Sequence, residues 1–192
     1  MASAEFVHLH GHSEYSLLDG GCHMAAMAPA AAELGMSALA VTDHGNLFGA
    51  ISHYRSCRDA GVKPILGCEV YVAIGSRHER KGARGLTHGS NHLVLLAKNE
   101  TGWRNLVKLV SRGYTEGFYY NPRIDKELLR SHSEGLVCLS ACVSGEVAHL
   151  IQEEGVDTAE EAVREYLDIF GDDYYLEIQR HGIDIEAKVN DG

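Results

Sequence analysis

The chain has 192 residues, 45% of them hydrophobic, and a formal charge of -10 from 27 acidic and 17 basic side chains. That is enough apolar material for one core, which excludes disordered and fibrous classes, and the negative balance excludes a chain that grips nucleic acid over its whole surface by neutralising phosphates. The five cysteines form no CxxC pair and no secreted-type framework, no signal segment opens the sequence, and no apolar run reaches the roughly 20 residues of a membrane span, so the expected setting is cytoplasmic, with no membrane partner.

Taken in order, residues 6–10 form the first predicted strand. Its two-residue period puts His8 and His10 on one face and Val7 and Leu9 on the other. Two imidazoles so placed can bind one metal or bridge two, although a half-buried strand with alternating polar residues has the same pattern. Asp19, in the Leu-Leu-Asp-Gly turn, fits a ligand or a capping acid, and spacing alone favours the cap. A less regular helix ends at Leu34 and Gly35, with Pro29 expected near its start or at a bend. The apolar strand 38–42 leads directly into Asp43 and His44, at the carboxyl end where α/β folds carry their sites, and Gly45 allows the sharp turn into a helix over 47–60. Strands at 62–66 and 69–74 flank Gly67, and Glu69 opens the second, where a buried carboxylate is costly unless cations compensate it.

The stretch 75–90, with Arg77, Arg80, Lys81 and Arg84, reads as an exposed loop; its sharper reading is a flap that touches a polynucleotide. Beyond it the pattern predicts a strand at 92–97 headed by His92, a helix over 102–115 with Leu106, Leu109 and Val110 as a core-facing stripe, and a helix over 125–131. A strand at 136–139, helices over 145–152 and 158–170, a strand at 174–178 and a helix over 184–189 complete the series. Cys142 and His181 follow strand segments. Trp103, Phe118, Tyr119 and Tyr120 read as packing residues ahead of base-stacking ones.

Alternating strands and helices predict an α/β domain with a mainly parallel sheet, and chemistry at strand ends points to a (β/α) barrel, with an open sheet as the alternative. Twelve histidines are well above ordinary usage. His12, His23, His53, His78, His88, His132 and His149 read as surface or capping residues, with His12 the open case because it keeps strand parity with His10. The remaining imidazole, carboxylate and thiol donors suit two or three divalent ions of zinc, manganese or iron, and such ions can clamp a phosphate and activate a water. Hydrolysis of a phosphoester is the reaction this chemistry suggests.

The strings HLHGHSEYSLLDG, AVTDHGNLFGA, GVKPILGCEVYVA, LLAKNETGWRNLVKLVSRGY, EGFYYNPRID and SEGLVCLSACVSGEV together resemble the opening of bacterial replicative polymerase alpha subunits, the DNA polymerase III family, in the region of its PHP (polymerase and histidinol phosphatase) domain. The resemblance spans nearly the whole of residues 1–192. It implies a distorted (β/α)7 barrel of the PHP type, a trinuclear metal centre, and His8, His10, Asp19, His44, Glu69, His92 and Cys142 as ligands, the first five also catalytic. Asp43 is implied as a group that orients His44, and His181 as an orienting or phosphate contact. It further implies that the domain stops here before its last metal-binding motif, leaving the barrel incomplete at the C-terminus and the polymerase core outside. The implied role is DNA replication, with 3′–5′ exonuclease proofreading at the metal site and magnesium serving the polymerase as a whole. The implied partners are DNA, the rest of the alpha chain, a proofreading subunit and the sliding clamp. The alternatives are a free-standing PHP phosphatase acting on a small molecule such as histidinol phosphate, and a metal-free scaffold.

Overall fold

The computed structural model of the chain describes residues 6–80 and 89–192. Seven strands and seven helices occur among them: α1 (Met24–Glu33), β1 (Ala38–Val41), α2 (Ala50–Asp59), β2 (Lys63–Ala73), β3 (Ser90–Ala97), α3 (Glu100–Thr115), β4 (Phe118–Tyr119), β5 (Asn121–Ile124), α4 (Lys126–His132), β6 (Leu136–Leu139), α5 (Glu146–Glu153), α6 (Val156–Phe170), β7 (Tyr174–Tyr175) and α7 (Asp184–Asp191). Lys81, Arg84 and His88 of the predicted basic loop lie outside the described residues.

β2 organises the sheet. Along one edge it pairs antiparallel with β3, from Gly67 opposite Leu96 to Ala73 opposite Ser90. Its other edge is shared: β1 pairs parallel with residues 63–66, and β5 pairs parallel with Tyr71 and Val72. β3 continues antiparallel to β6, and β6 parallel to β7, while β4 and β5 make a short hairpin. The fold is thus mixed α/β, with parallel βα units joined by antiparallel pairings. The expected barrel is not formed, since the sheet order β4-β5-β2-β3-β6-β7, with β1 alongside β2, leaves the sheet open.

Alternation along β2 separates two faces. Cys68, Val70 and Val72, with Leu93, Leu95 and Cys138, build the main core against Leu106 and Leu109 of α3, Leu128 and Leu129 of α4 and Tyr166 of α6. The predicted stripe on α3 faces this core. On the opposite face Val94, Leu96 and Leu139 join Ala40, Ala141 and Leu9 in a smaller apolar cluster. In an antiparallel pair, residues directly opposed share a face, so Glu69 (opposite Val94), Tyr71 and His92 (opposite each other) stand on this second face as well.

Several sequence expectations change. Residues 6–10 are not a strand: the segment is irregular and bends at Leu9 and His10, though Ala40 N–H still donates to His8 O at 2.9 Å and Thr42 N–H to Gly11 O at 2.8 Å. The two strands predicted around Gly67 are one. A Cβ on Gly67 would lie 2.6 Å from Leu96 Cδ2, 2.7 Å from Leu95 O and 2.9 Å from Thr42 Cγ2, so this glycine marks a close approach of strands, not a break. Pro29 sits inside α1, which continues through it. The hairpin β4–β5 was not anticipated, and the strand predicted over 174–178 is regular only at Tyr174 and Tyr175.

Arg77 also departs from the exposed-loop reading. It is buried, donating from Nη1 to both Asp125 oxygens at 3.0 Å and from Nε to Glu116 at 2.8 Å, while Asp125 caps α4 through Leu128 N–H. His53, read as a surface or capping residue, is fully buried with Nε2 3.0 Å from Leu39 O, and burial lowers its pKa.

Gly67→Ala is expected to destabilise the protein by about 1–3 kcal/mol, because the new methyl meets a backbone carbonyl that cannot move freely. Gly21→Ala, where a Cβ meets nothing within 4 Å, serves as the control in urea unfolding. Equal midpoints for the two variants would refute the close-approach account.

Candidate metal centre

The site forms where the shared edge of β2 has no strand beside it. β1 ends at Val41 and β5 begins pairing at Tyr71; between them the chain leaving β1 bridges to β2 at His44 and Glu69. Glu69 N–H is shared between Thr42 O and Asp43 O, both at 3.2 Å, and Glu69 O accepts Gly45 N–H at 2.8 Å. Gly45 has φ +63°, and a Cβ there would come within 2.8 Å of Pro122 and 3.0 Å of Tyr71. Only glycine meets both requirements immediately after His44.

Glu69 is 1% exposed and faces four imidazoles. Its Oε2 lies 3.2 Å from His10 Nε2, 3.1 Å from His12 Nε2 and 3.2 Å from His44 Nδ1, and its Oε1 lies 2.8 Å from His92 Nδ1. Cys142 Sγ is 3.8 Å from His92 Nδ1 and 3.9 Å from Glu69 Oε1. Asp19 extends the cluster outward, with Oδ2 2.8 Å from His44 Nε2. The rings pack on one another: His12 stacks on His44 at 4.2 Å, and Tyr71 walls the site beside His44 and His92.

The electrostatics follow from one carboxylate serving four rings. Burial works against a charged Glu69, but hydrogen bonds from His10, His12 and His92 outweigh it and hold the carboxyl well below its usual range. Burial likewise opposes charge on His10 and His92, yet bonds of His10 to Glu177 and Glu69 push it up to about 10, and bonds of His92 to Cys142 and Glu69 push it up to about 9. His44 goes the other way: burial, together with the neighbouring His12 and His92, lowers its pKa despite Glu69 and Asp19.

Among the described residues, three groups bring their donor atoms within 4.8 Å of one another: His10, His12 and Glu69; His12, Asp19 and His44; and His44, Glu69 and His92. His12 Nδ1 is buried with no hydrogen-bond partner, and His44 Nδ1 meets Glu69 without hydrogen-bond geometry. So many imidazole nitrogens around a single carboxylate, some of them unpartnered, are the environment that a divalent cation satisfies.

The PHP domain family model matches residues 8–181. The chain belongs to the PHP domain family. It is 50% identical over 190 residues to DNA polymerase III subunit alpha of Treponema pallidum, covering 98% of this chain and 16% of that protein. The corresponding subunit of Thermus aquaticus is 49% identical over 188 residues, covering 97% of this chain and 15% of its own. The chain therefore spans about one-sixth of the length of these curated relatives, and the match lies in their N-terminal region. A putative metal-dependent phosphoesterase from Bifidobacterium adolescentis aligns with a TM-score of 0.42 at 16% identity, over 58% of this chain and 34% of its own.

Within this PHP domain the structure brings together six of the seven residues expected as ligands: His10, Asp19, His44, Glu69, His92 and Cys142. His8 stands apart, exposed, with its ring edge-on to Phe6 at 5.0 Å. His12 occupies the place expected of it. The sequence His-Leu-His-Gly-His contains two overlapping His-x-His pairs, and the bend at Leu9 and His10 cancels the parity that would have put His8 on the face of His10. His181 lies outside these donor groups and pairs through Nδ1 with Glu186 at 2.5 Å.

Asp43 bonds to none of the four rings of the cluster. Its carboxylate accepts Ser13 N–H at 2.7 Å, Ser13 Oγ–H at 2.8 Å and Ser16 Oγ–H at 2.7 Å, and Ser16 Oγ in turn accepts His44 N–H at 3.1 Å. It orients His44 through the backbone, and it ties the turn carrying Asp19 to the end of β1. Cys142 is presented by another forced turn: Ala141, with φ +64°, is in the left-handed region at a cost of about 1–2 kcal/mol, and Ser144 N–H donates to the Cys142 sulfur. Glu177 and Gln179 were not anticipated at the site. Glu177 reaches His10 across 167 positions of sequence, and a lone acid in an apolar stretch carries no local signal of that.

Asp43→Ala removes the acceptor of three hydrogen bonds and is expected to lower stability by about 2–4 kcal/mol, whereas Ser16→Ala, which removes one donor, loses about 1 kcal/mol. Equilibrium unfolding of both variants checks this; an Asp43→Ala protein as stable as wild type would refute the anchoring role.

Proposed function

We propose that this PHP domain is the N-terminal metal-dependent phosphoesterase of a bacterial replicative DNA polymerase alpha subunit, acting as a 3′–5′ exonuclease that removes mispaired nucleotides. The observation that carries the reading is the buried Glu69 carboxylate ringed by His10, His12, His44 and His92, with Asp19 and Cys142 at its margins. These side chains would hold two or three divalent ions, of zinc, manganese or iron, which supply a Lewis acid for a phosphoryl oxygen and a water acidic enough to attack at neutral pH. The chain's own contribution is arrangement. Glu69 brings negative charge to the centre of the donor set, Asp43 holds the His44 and Asp19 segments in register, and Tyr71 closes one wall.

The wider reading follows from the relatives. The domain would work with the remainder of the alpha chain, whose polymerase centre uses magnesium, on DNA, beside a separate proofreading subunit and the sliding clamp, in the cytoplasm. No helix among the described residues is long and apolar enough to cross a membrane. A small-molecule phosphatase would share the donor set, but the long matching strings outside it, such as NETGW and GFYYNPRID, argue for the polymerase.

The test uses the full-length gene product, its metal content, and a single-stranded DNA with a labelled 3′ end. Wild type is expected to bind zinc or manganese and to shorten the DNA from that end, and His12→Ala with Glu69→Gln is expected to abolish both while polymerisation persists. Loss of neither would leave the scaffold reading. Turnover of histidinol phosphate without attack on DNA ends would identify a small-molecule phosphatase.

A further inference from the structure

We infer that Glu177 is a positioning residue for the metal centre, holding His10 as the tautomer that carries its proton on Nδ1 and offers Nε2 to a metal. The inference rests on the metal-centre reading above. His10 is held between two carboxylates in opposite directions: Nε2 points into the cluster, 3.2 Å from Glu69 Oε2, and Nδ1 points out of it, 2.7 Å from Glu177 Oε1. An ionised carboxylate accepts hydrogen bonds and donates none, so the 2.7 Å contact, closer than Gln179 Nε2 at 3.3 Å from the same nitrogen, places a proton on Nδ1 and leaves Nε2 as the nitrogen a metal would take. Gln179 Nε2 donates to the same Glu177 oxygen at 2.7 Å, which reinforces its role as acceptor.

Glu177 is itself anchored. Its N–H donates to Ser140 Oγ at 2.8 Å, and Ser140 N–H donates to Tyr175 O at 3.0 Å, so the ends of β6 and β7 together set where the carboxylate stands. Its second oxygen, Oε2, is buried with no hydrogen-bond partner. A part-buried carboxylate with one oxygen out of water and unpaired is costly, and that cost is offset here through the oxygen that faces His10. Carboxylate, imidazole and metal in series is the arrangement that orients a ligating ring and raises its basicity. The contact also joins the segment after β7 to the one before α1.

The experiment titrates Zn2+ and Mn2+ separately into the full-length gene product, with the melting temperature of each metal-free protein measured alongside. Glu177→Ala is expected to weaken metal binding about 10–100-fold. Glu177→Gln keeps an acceptor for Nδ1–H without the charge and is expected to fall between alanine and wild type. A purely structural link would lower the metal-free melting temperature and leave the affinity of the folded protein alone. The inference is overturned if Glu177→Ala binds within about twofold of wild type while His12→Ala does not bind, an outcome under which the metal centre itself stands. Should the alanine variant fail to fold, Glu177→Met, which fills the space without an acceptor for Nδ1–H, takes its place, and wild-type affinity in it overturns the inference equally. Wild type that takes up neither ion brings down the metal-centre reading and this inference together.

Discussion

A carboxylate taken almost wholly out of water is the constraint on which the rest of this structure turns. Transfer of such a charge costs several kcal/mol after the protein relaxes, and it is sustained only where cationic or hydrogen-bonding partners surround it. Glu69 obtains its partners from four separate pieces of chain: the segment before α1 delivers His10 and His12, the exit of β1 delivers His44, the start of β3 delivers His92, and the turn after β6 brings Cys142. Each piece must arrive in register with the others. The left-handed Ala141, the glycine after His44 and the serine ties to Asp43 are local devices that make it do so.

The sheet divides two kinds of work between its faces. The face under α3, α4 and α6, carrying Cys68, Val70, Leu93 and Leu95, holds the largest buried hydrophobic cluster among the described residues. The other face is apolar only at the end near Leu96 and Leu139 and turns polar toward Glu69, Tyr71 and His92. Rigid packing on one side therefore supports Glu69, Tyr71 and His92 within strands on the other, where geometric precision is easiest to maintain, while the remaining donors arrive from the segments between strands. The gap along β2, where one neighbouring strand has ended and the next has not begun, leaves room for Glu69 to be approached by side chains instead of backbone.

Membership of the PHP family and near 50% identity to polymerase alpha subunits give this geometry its context. The matched region is about one-sixth of the length of those relatives. A donor set of histidines, acids and a thiol is chemically suited to cleaving phosphoesters.

Much was legible in the sequence because its signals are local. Period-two and helical spacing marked the strands beginning near Ala38, His92 and Leu136 and all seven helices, since burial of one face is written into neighbouring residues. The strand ends holding His44, Glu69 and His92 were legible for the same reason. What tertiary structure alone decided were matters of long-range approach. Gly67 looked like a break and is a point of strand contact; Arg77 looked exposed and is buried on Asp125; the barrel suggested by alternation stays an open sheet. The choice between His8 and His12 depended on a bend that no periodicity records. The link from His10 to Glu177 depended on two chain segments meeting across 167 positions of sequence. Sequence determined which residue types were available to a metal centre, because their chemistry is intrinsic; only folding decided which of them face one another, because that depends on where distant strands end.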